Sequence, residues 1–144
     1  MGISQSGAGR TPWHIWVVGV LTLLWYLSGA ISIIAAQHGT MPSLAPDEAA
    51  YYAAKPLWLE IMTDIGLIAC VAGSLGLLLR KKLAVPCFAL ASVLILIQNV
   101  YELLSGTSRA YANSTAAIVL SLIMVIVLAC WLYAKAMKRR GILR

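Results

Sequence analysis

Only five acidic residues occur among 144, and three of them, Glu60, Asp64 and Glu102, stand inside apolar stretches. An ionisable side chain at the centre of a bilayer costs about 2.5–3.5 kcal/mol on insertion scales, so each of the three needs a reason to be there. Glu60 and Asp64 are four apart and share one helical face, about 5 and 10 Å along from the start of their run. Gln98 and Glu102 repeat that spacing on a later run, with Asn99 beside them. A cation or proton site, or an outward-open vestibule for a polar solute, would use such carboxylates with proton affinity raised by burial and mutual repulsion. Alternatively, Glu60 and Glu102 reach the headgroups while Asn99 or Gln98 hydrogen-bonds Asp64 and keeps two helices in register. In a third arrangement Asp64 pairs with a partner subunit. The other half of the runs holds no acid that would complete a path.

Other chemistry-bearing residues are sparse. His14 lies beside Trp13 at one end of the first run and His38 at its other end, without a His, Cys or acid at ligand spacing. They read as interfacial anchors rather than zinc or haem ligands. Cys70, Cys87 and Cys130 each fall inside an apolar run and form no CxxC, so they read as small packing residues. P-loop, GxGxxG and nucleophile-elbow patterns are missing as well. The expectation is a protein without catalysis, cofactor or metal.

Four apolar runs must position these groups: residues 13–36, 57–79, 83–104 and 114–133. A hydrocarbon core of ~30 Å needs about 20 helical residues, and each run supplies that length. The chain is 61% hydrophobic and 11% charged, against ~25% charged in soluble domains. The expected fold is therefore an all-α membrane protein, a four-transmembrane-helix antiparallel bundle in one domain. The first run is about twice the length of a signal-peptide h-region, and Ile34 spoils a small-x-small cleavage pattern, so it reads as a retained helix.

Of the 11 Lys and Arg, all but Lys55 and Arg109 fall in three places: Arg10 before the first run, Arg80, Lys81 and Lys82 between the second and third, and Lys135, Lys138, Arg139, Arg140 and Arg144 after the fourth. The positive-inside rule then makes both termini cytoplasmic, as an even number of spans requires. The net charge of +6 is thus expected to meet anionic lipid headgroups, at about 1 kcal/mol per residue, and not nucleic acid.

The outer connection, residues 37–56, contains APDEAAYYAAK, a short helix with Pro46 in its first turn, Asp47 and Glu48 at the positive end of its dipole and Pro56 at its stop. It is expected to lie along the membrane surface. Tyr51, Tyr52, Trp58, Tyr101 and Tyr111 are assigned to the outer aromatic belt, and Trp13, Trp16, Trp131 and Tyr133 to the inner one. Trp25 and Tyr26 lie deeper and are expected between helices. The short second connection predicts a hairpin of the second and third helices. Residues 134–144 are expected to continue the fourth helix as a basic stalk ending near Gly141. In the second helix, Ala69 with Gly73 and Ala72 with Gly76 form overlapping small-xxx-small patterns, suited to packing within the chain or to docking on another subunit. Ser28 with Ser32, beside Gly29 and Ala30, offers the first helix a similar face.

The segments TPWHIWVVGVLTLLW, LLLRKKLAVP and YAKAMKRRGILR resemble a family of small uncharacterised four-helix bacterial inner-membrane proteins, sometimes labelled "sugar transporter". The resemblance covers nearly the whole chain and implies a multi-pass protein of that membrane. Family members commonly place an Asn after the Trp of the first helix and an Asp beyond Gly-Ala. Here those positions read WYLSGAISI, with Tyr26 and no acid. The same stretch is similar to the first helix of small multidrug resistance transporters but lacks their glutamate. The leading expectation is an accessory or scaffold subunit of a larger respiratory, photosynthetic or transport assembly, partnered by lipids and other integral membrane subunits. The alternative is a small-solute or ion transporter acting as an oligomer through Glu60, Asp64 and Glu102.

Overall fold

The structure, a computed structural model, describes residues 12–41, 45–106 and 115–143, without the side chains of 115–117 and 120. Arg10, Arg109, Tyr111 and Arg144 lie outside the described residues. Five helices follow one another, α1 (His14–Gln37), α2 (Pro46–Ala53), α3 (Leu57–Leu78), α4 (Ala84–Ser105) and α5 (Thr115–Arg139), with no strand among the described residues. Four of them, all but α2, are long and apolar enough to cross a membrane.

Apolar residues surround these helices on every side, so hydrophobicity alone does not choose an inward face; size and polarity do. The second long helix, α3, is the hub. Half of its most apolar window is buried, against 17% for α1, and it packs on both α1 and α4. Its small residues explain this. A Cβ on Gly73 would meet three ring atoms of Phe88 at 3.0 Å, and one on Gly76 would meet the Ala84 backbone nitrogen at 3.0 Å. Ala69 is buried and Ala72 half-buried. At Gly73 and Gly76 the stripe expected either to pack or to dock is thus filled by the chain's own α4, and these two glycines present nothing to a further subunit.

The α3–α4 connection closes within a few residues. The Lys81 N–H donates to the Gly76 carbonyl at 2.8 Å, and Arg80 adopts a left-handed φ of 53° that glycine would take more easily. Contacts group the helix ends: Gly19 with Leu78, Gly76 with Ala84 and His14 with Tyr133 at the turn end, Tyr51 with Glu102 and Thr63 with Gln98 at the α2 end.

Two expectations need correction here. Tyr26 is buried, its hydroxyl 3.8 Å from the Cys130 sulfur, whereas Trp25 is 41% exposed. Consecutive residues on a helix point about 100° apart, so Tyr26 enters the core while Trp25 stays at its edge. Residues 134–139 continue the fourth helix and Gly141 follows its end, as expected, but the segment packs on the bundle and is not a free stalk. Ala134 and Met137 are buried in the core, the helix ends at Arg139, and Gly141, with φ 70°, turns the chain so that Leu143 is buried too. Lys135, Lys138, Arg139 and Arg140 are exposed on the opposite side, as are Lys81 and Lys82 at the α3–α4 turn; Arg80 is half-buried.

Candidate functional site around Glu102

Glu102 is the most buried of the described acids, at 6% exposure, in the last turn of α4. A carboxylate there is tolerable only if donors reach it. Tyr51, brought from α2, donates its hydroxyl to Glu102 Oε1 at 2.7 Å, and Gln98, one turn earlier on α4, donates from Nε2 to the same oxygen at 3.1 Å. Lys55 Nζ lies 3.5 Å from Oε1, forming an ion pair whose side chains are almost wholly withdrawn from the surface. The ammonium also sits over the rings of Tyr51 and Tyr52, 4.6 and 5.7 Å from their centroids, so aromatic faces supplement a single carboxylate.

Local sequence explains how α2 delivers these groups. Pro46 opens the helix with its missing N–H at no cost, Asp47 and Glu48 occupy the first turn, and the helix is only eight residues long. Tyr51 is its one buried residue, and Lys55 follows just beyond, before Pro56 caps α3. The expectation that Tyr51 stands in an outer aromatic belt is therefore corrected. Tyr51 is fully buried and α2 is pinned to the end of the bundle by a hydrogen bond that turns its phenol inward.

A second tier lies deeper. Thr63 Oγ1 stands 2.8 Å from both the Leu59 carbonyl and Gln98 Oε1. Its single proton serves one of these at a time. Gln98 is thereby held between Thr63 on α3 and Glu102 on α4.

The five residues expected to form one polar cluster divide. Gln98 and Glu102 are directly bonded, while Asn99 turns aside and donates to the Ile95 carbonyl at 2.8 Å. Asp64 receives no hydrogen bond from Asn99 or Gln98, and its Oδ1 is buried without a partner. Glu60 is half-buried in the first turn of α3, and its charge, like that of Asp64, reaches Lys55. Tyr51, Lys55 and Thr63 were not anticipated. The available signal was Lys55 itself, the lone cation between the first two apolar runs, in a chain with buried acids seeking charge.

Burial drives the electrostatics of the connection. It pushes the Lys55 ammonium below the usual lysine range, with Glu102 first among the charges that oppose the shift. The Tyr51 phenol is pushed up by burial and then by the adjacent Glu102 charge; Tyr52 moves the same way through burial and Glu48. Near neutral pH, both phenols remain donors. The arrangement is a clamp in which a buried carboxylate on α4 holds the Tyr51 phenol of α2, while α2 also touches α1 and α5. It also leaves Lys55 Nζ and Asp64 Oδ1 buried without a hydrogen-bond partner.

No protein-family model, curated protein or solved structure matches this chain.

Proposed function

We propose that the chain is a non-catalytic accessory or scaffold subunit of a larger bacterial inner-membrane assembly, built as an antiparallel four-helix bundle with both termini in the cytoplasm. The observation that carries this reading is the engagement of Glu102 within the chain: Tyr51, Gln98 and Lys55 all approach its Oε1, making it a fastening for α2. The proposed orientation is supported by the exposed Lys81, Lys82, Lys135, Lys138, Arg139 and Arg140 at the turn end, which suit contact with anionic headgroups on the cytoplasmic side. Docking then falls to the broad apolar outer faces, such as Leu24, Leu27 and Ile31 on α1, because the small residues of α3 are already occupied. Gentle detergent extraction from native membranes, size separation and mass spectrometry test the reading. Stoichiometric recovery with a larger complex supports it; recovery alone or as a small homo-oligomer contradicts it.

A second reading, an oligomeric transporter of a small solute or ion, is favoured by the buried Asp64 Oδ1, which has no hydrogen-bond partner. Under this reading, D64N abolishes solute-dependent proton or ion flux in proteoliposomes while the bundle stays folded. Unchanged flux removes Asp64 from any transport site.

A further inference from the structure

The helices α1 and α5 meet at His14–Tyr133 and Tyr26–Cys130, then part around a half-open cavity of about 340 Å³ toward the α2 end, with Leu67 of α3 also in its lining. The cavity exists because α1 offers Ser28, Gly29 and Ser32 where α5 offers Val119 and Ile123, and a Cβ added at Gly29 would touch nothing within 4 Å. Glu48 and Tyr52 from α2 stand among its lining.

We propose that this cavity binds one phospholipid with a primary-amine headgroup, its acyl chain between α1 and α5 and its ammonium at Glu48. Length is the first argument. The lining residues of α1 run from Trp25 to Ala36, about 16 Å at ~1.5 Å per residue, or half of a ~30 Å hydrocarbon core. This is the reach of a lipid tail within one leaflet. Volume is the second, since a helix ~10 Å wide over that length occupies on the order of 1,000 Å³ and does not fit, whereas the proposal seats only one acyl chain in the cavity and leaves the second chain and the rest of the lipid at its open side. Polarity is the third. The Ser28 hydroxyl donates to the Trp25 carbonyl at 3.0 Å and the Ser32 hydroxyl to the Ser28 carbonyl at 2.9 Å, so toward the cavity both present lone pairs. With the Glu48 carboxylate, this makes an acceptor-rich edge that favours an ammonium and repels a purely anionic headgroup. The inference rests only on the chain spanning a membrane, and is independent of whether it joins a larger assembly.

The test is native mass spectrometry of the delipidated full-length protein titrated with phosphatidylethanolamine or phosphatidylglycerol. One saturable phosphatidylethanolamine adduct is expected, at least tenfold tighter than phosphatidylglycerol. E48Q should erase that preference, and G29F, which fills the cavity, should weaken the adduct at least tenfold with helical content retained. Equal binding of both lipids by the unaltered protein, or unchanged binding by folded G29F, overturns the proposal. Trp25 supplies a measurement that needs no cavity-filling variant. Phosphatidylethanolamine with brominated acyl chains should quench its emission more than the phosphatidylglycerol equivalent, judged against W25F, and equal quenching likewise overturns the proposal.

Discussion

The Tyr51 phenol donates to Glu102 Oε1 across 2.7 Å and so fastens the eight-residue α2 to the last turn of α4, 51 positions away in the chain. A hydrogen bond to a charged group contributes about 1.5–3 kcal/mol. Y51F should therefore lower stability by about 2 kcal/mol, measured by unfolding in detergent, and protease cleavage should increase in residues 45–56. Unchanged protection there would mean that the bond does not hold α2.

Removing one member of the Lys55–Glu102 pair leaves the other charge buried, and such losses cost about 3–5 kcal/mol. E102Q should be in that range. K55M combined with E102Q should cost clearly less than the two single changes added together, because no buried charge is left over. Additive losses would show that the two side chains act independently.

Alkaline pH should produce two opposed trends. Lys55 has a lowered folded pKa, so the unfolded chain binds more protons in the window ending near the ordinary lysine value of 10.5, and stability rises with pH there. Tyr51 and Tyr52 have raised values, so above about 10 the folded chain retains protons that the unfolded chain loses, and stability falls. The unfolding midpoint should rise and then turn over near pH 10. K55M should flatten the rise, and Y51F with Y52F the fall. A midpoint that declines steadily from pH 8 would rule out the Lys55 contribution.

The glycines of α3 should respond unequally to alanine. The better helix propensity of alanine contributes about 0.8–1 kcal/mol, whereas overpacking costs about 1–3 kcal/mol. At Gly73 the obstacle is the Phe88 ring, which can tilt, so G73A should be near neutral. At Gly76 it is the Ala84 backbone, so G76A should force α3 and α4 apart and lose about 1–2 kcal/mol. Equal effects would refute the close approach at Gly76.

Position 80 should favour glycine over alanine. Its φ of 53° costs an L-residue about 1–2 kcal/mol, part of which glycine returns as greater freedom in the unfolded chain. R80G should be about 0.5–1 kcal/mol more stable than R80A, a comparison in which both variants lack the guanidinium.

The four membrane-length helices were legible because ~20-residue apolar runs admit few alternatives. Gln98 and Glu102 were legible as a pair because the helix itself fixes their spacing. Tyr51 and Lys55 were not, because their role depends on where a connection folds back, which no periodicity encodes. Asn99 was misjudged for a related reason: a short amide on a helix can satisfy itself on the preceding turn, here the Ile95 carbonyl, instead of crossing to Asp64.

The fastening of α2 also sets an order in time. The α3–α4 turn brings Gly76 against Ala84 across a few residues, whereas Tyr51 must wait until the final turn of α4 exists. Closing the shorter loop costs less entropy, so the hairpin zips first and α2 swings into place last. Until that moment Lys55 and Glu102 remain apart, and the newly inserted chain carries two uncompensated charges that become paired only when α2 docks.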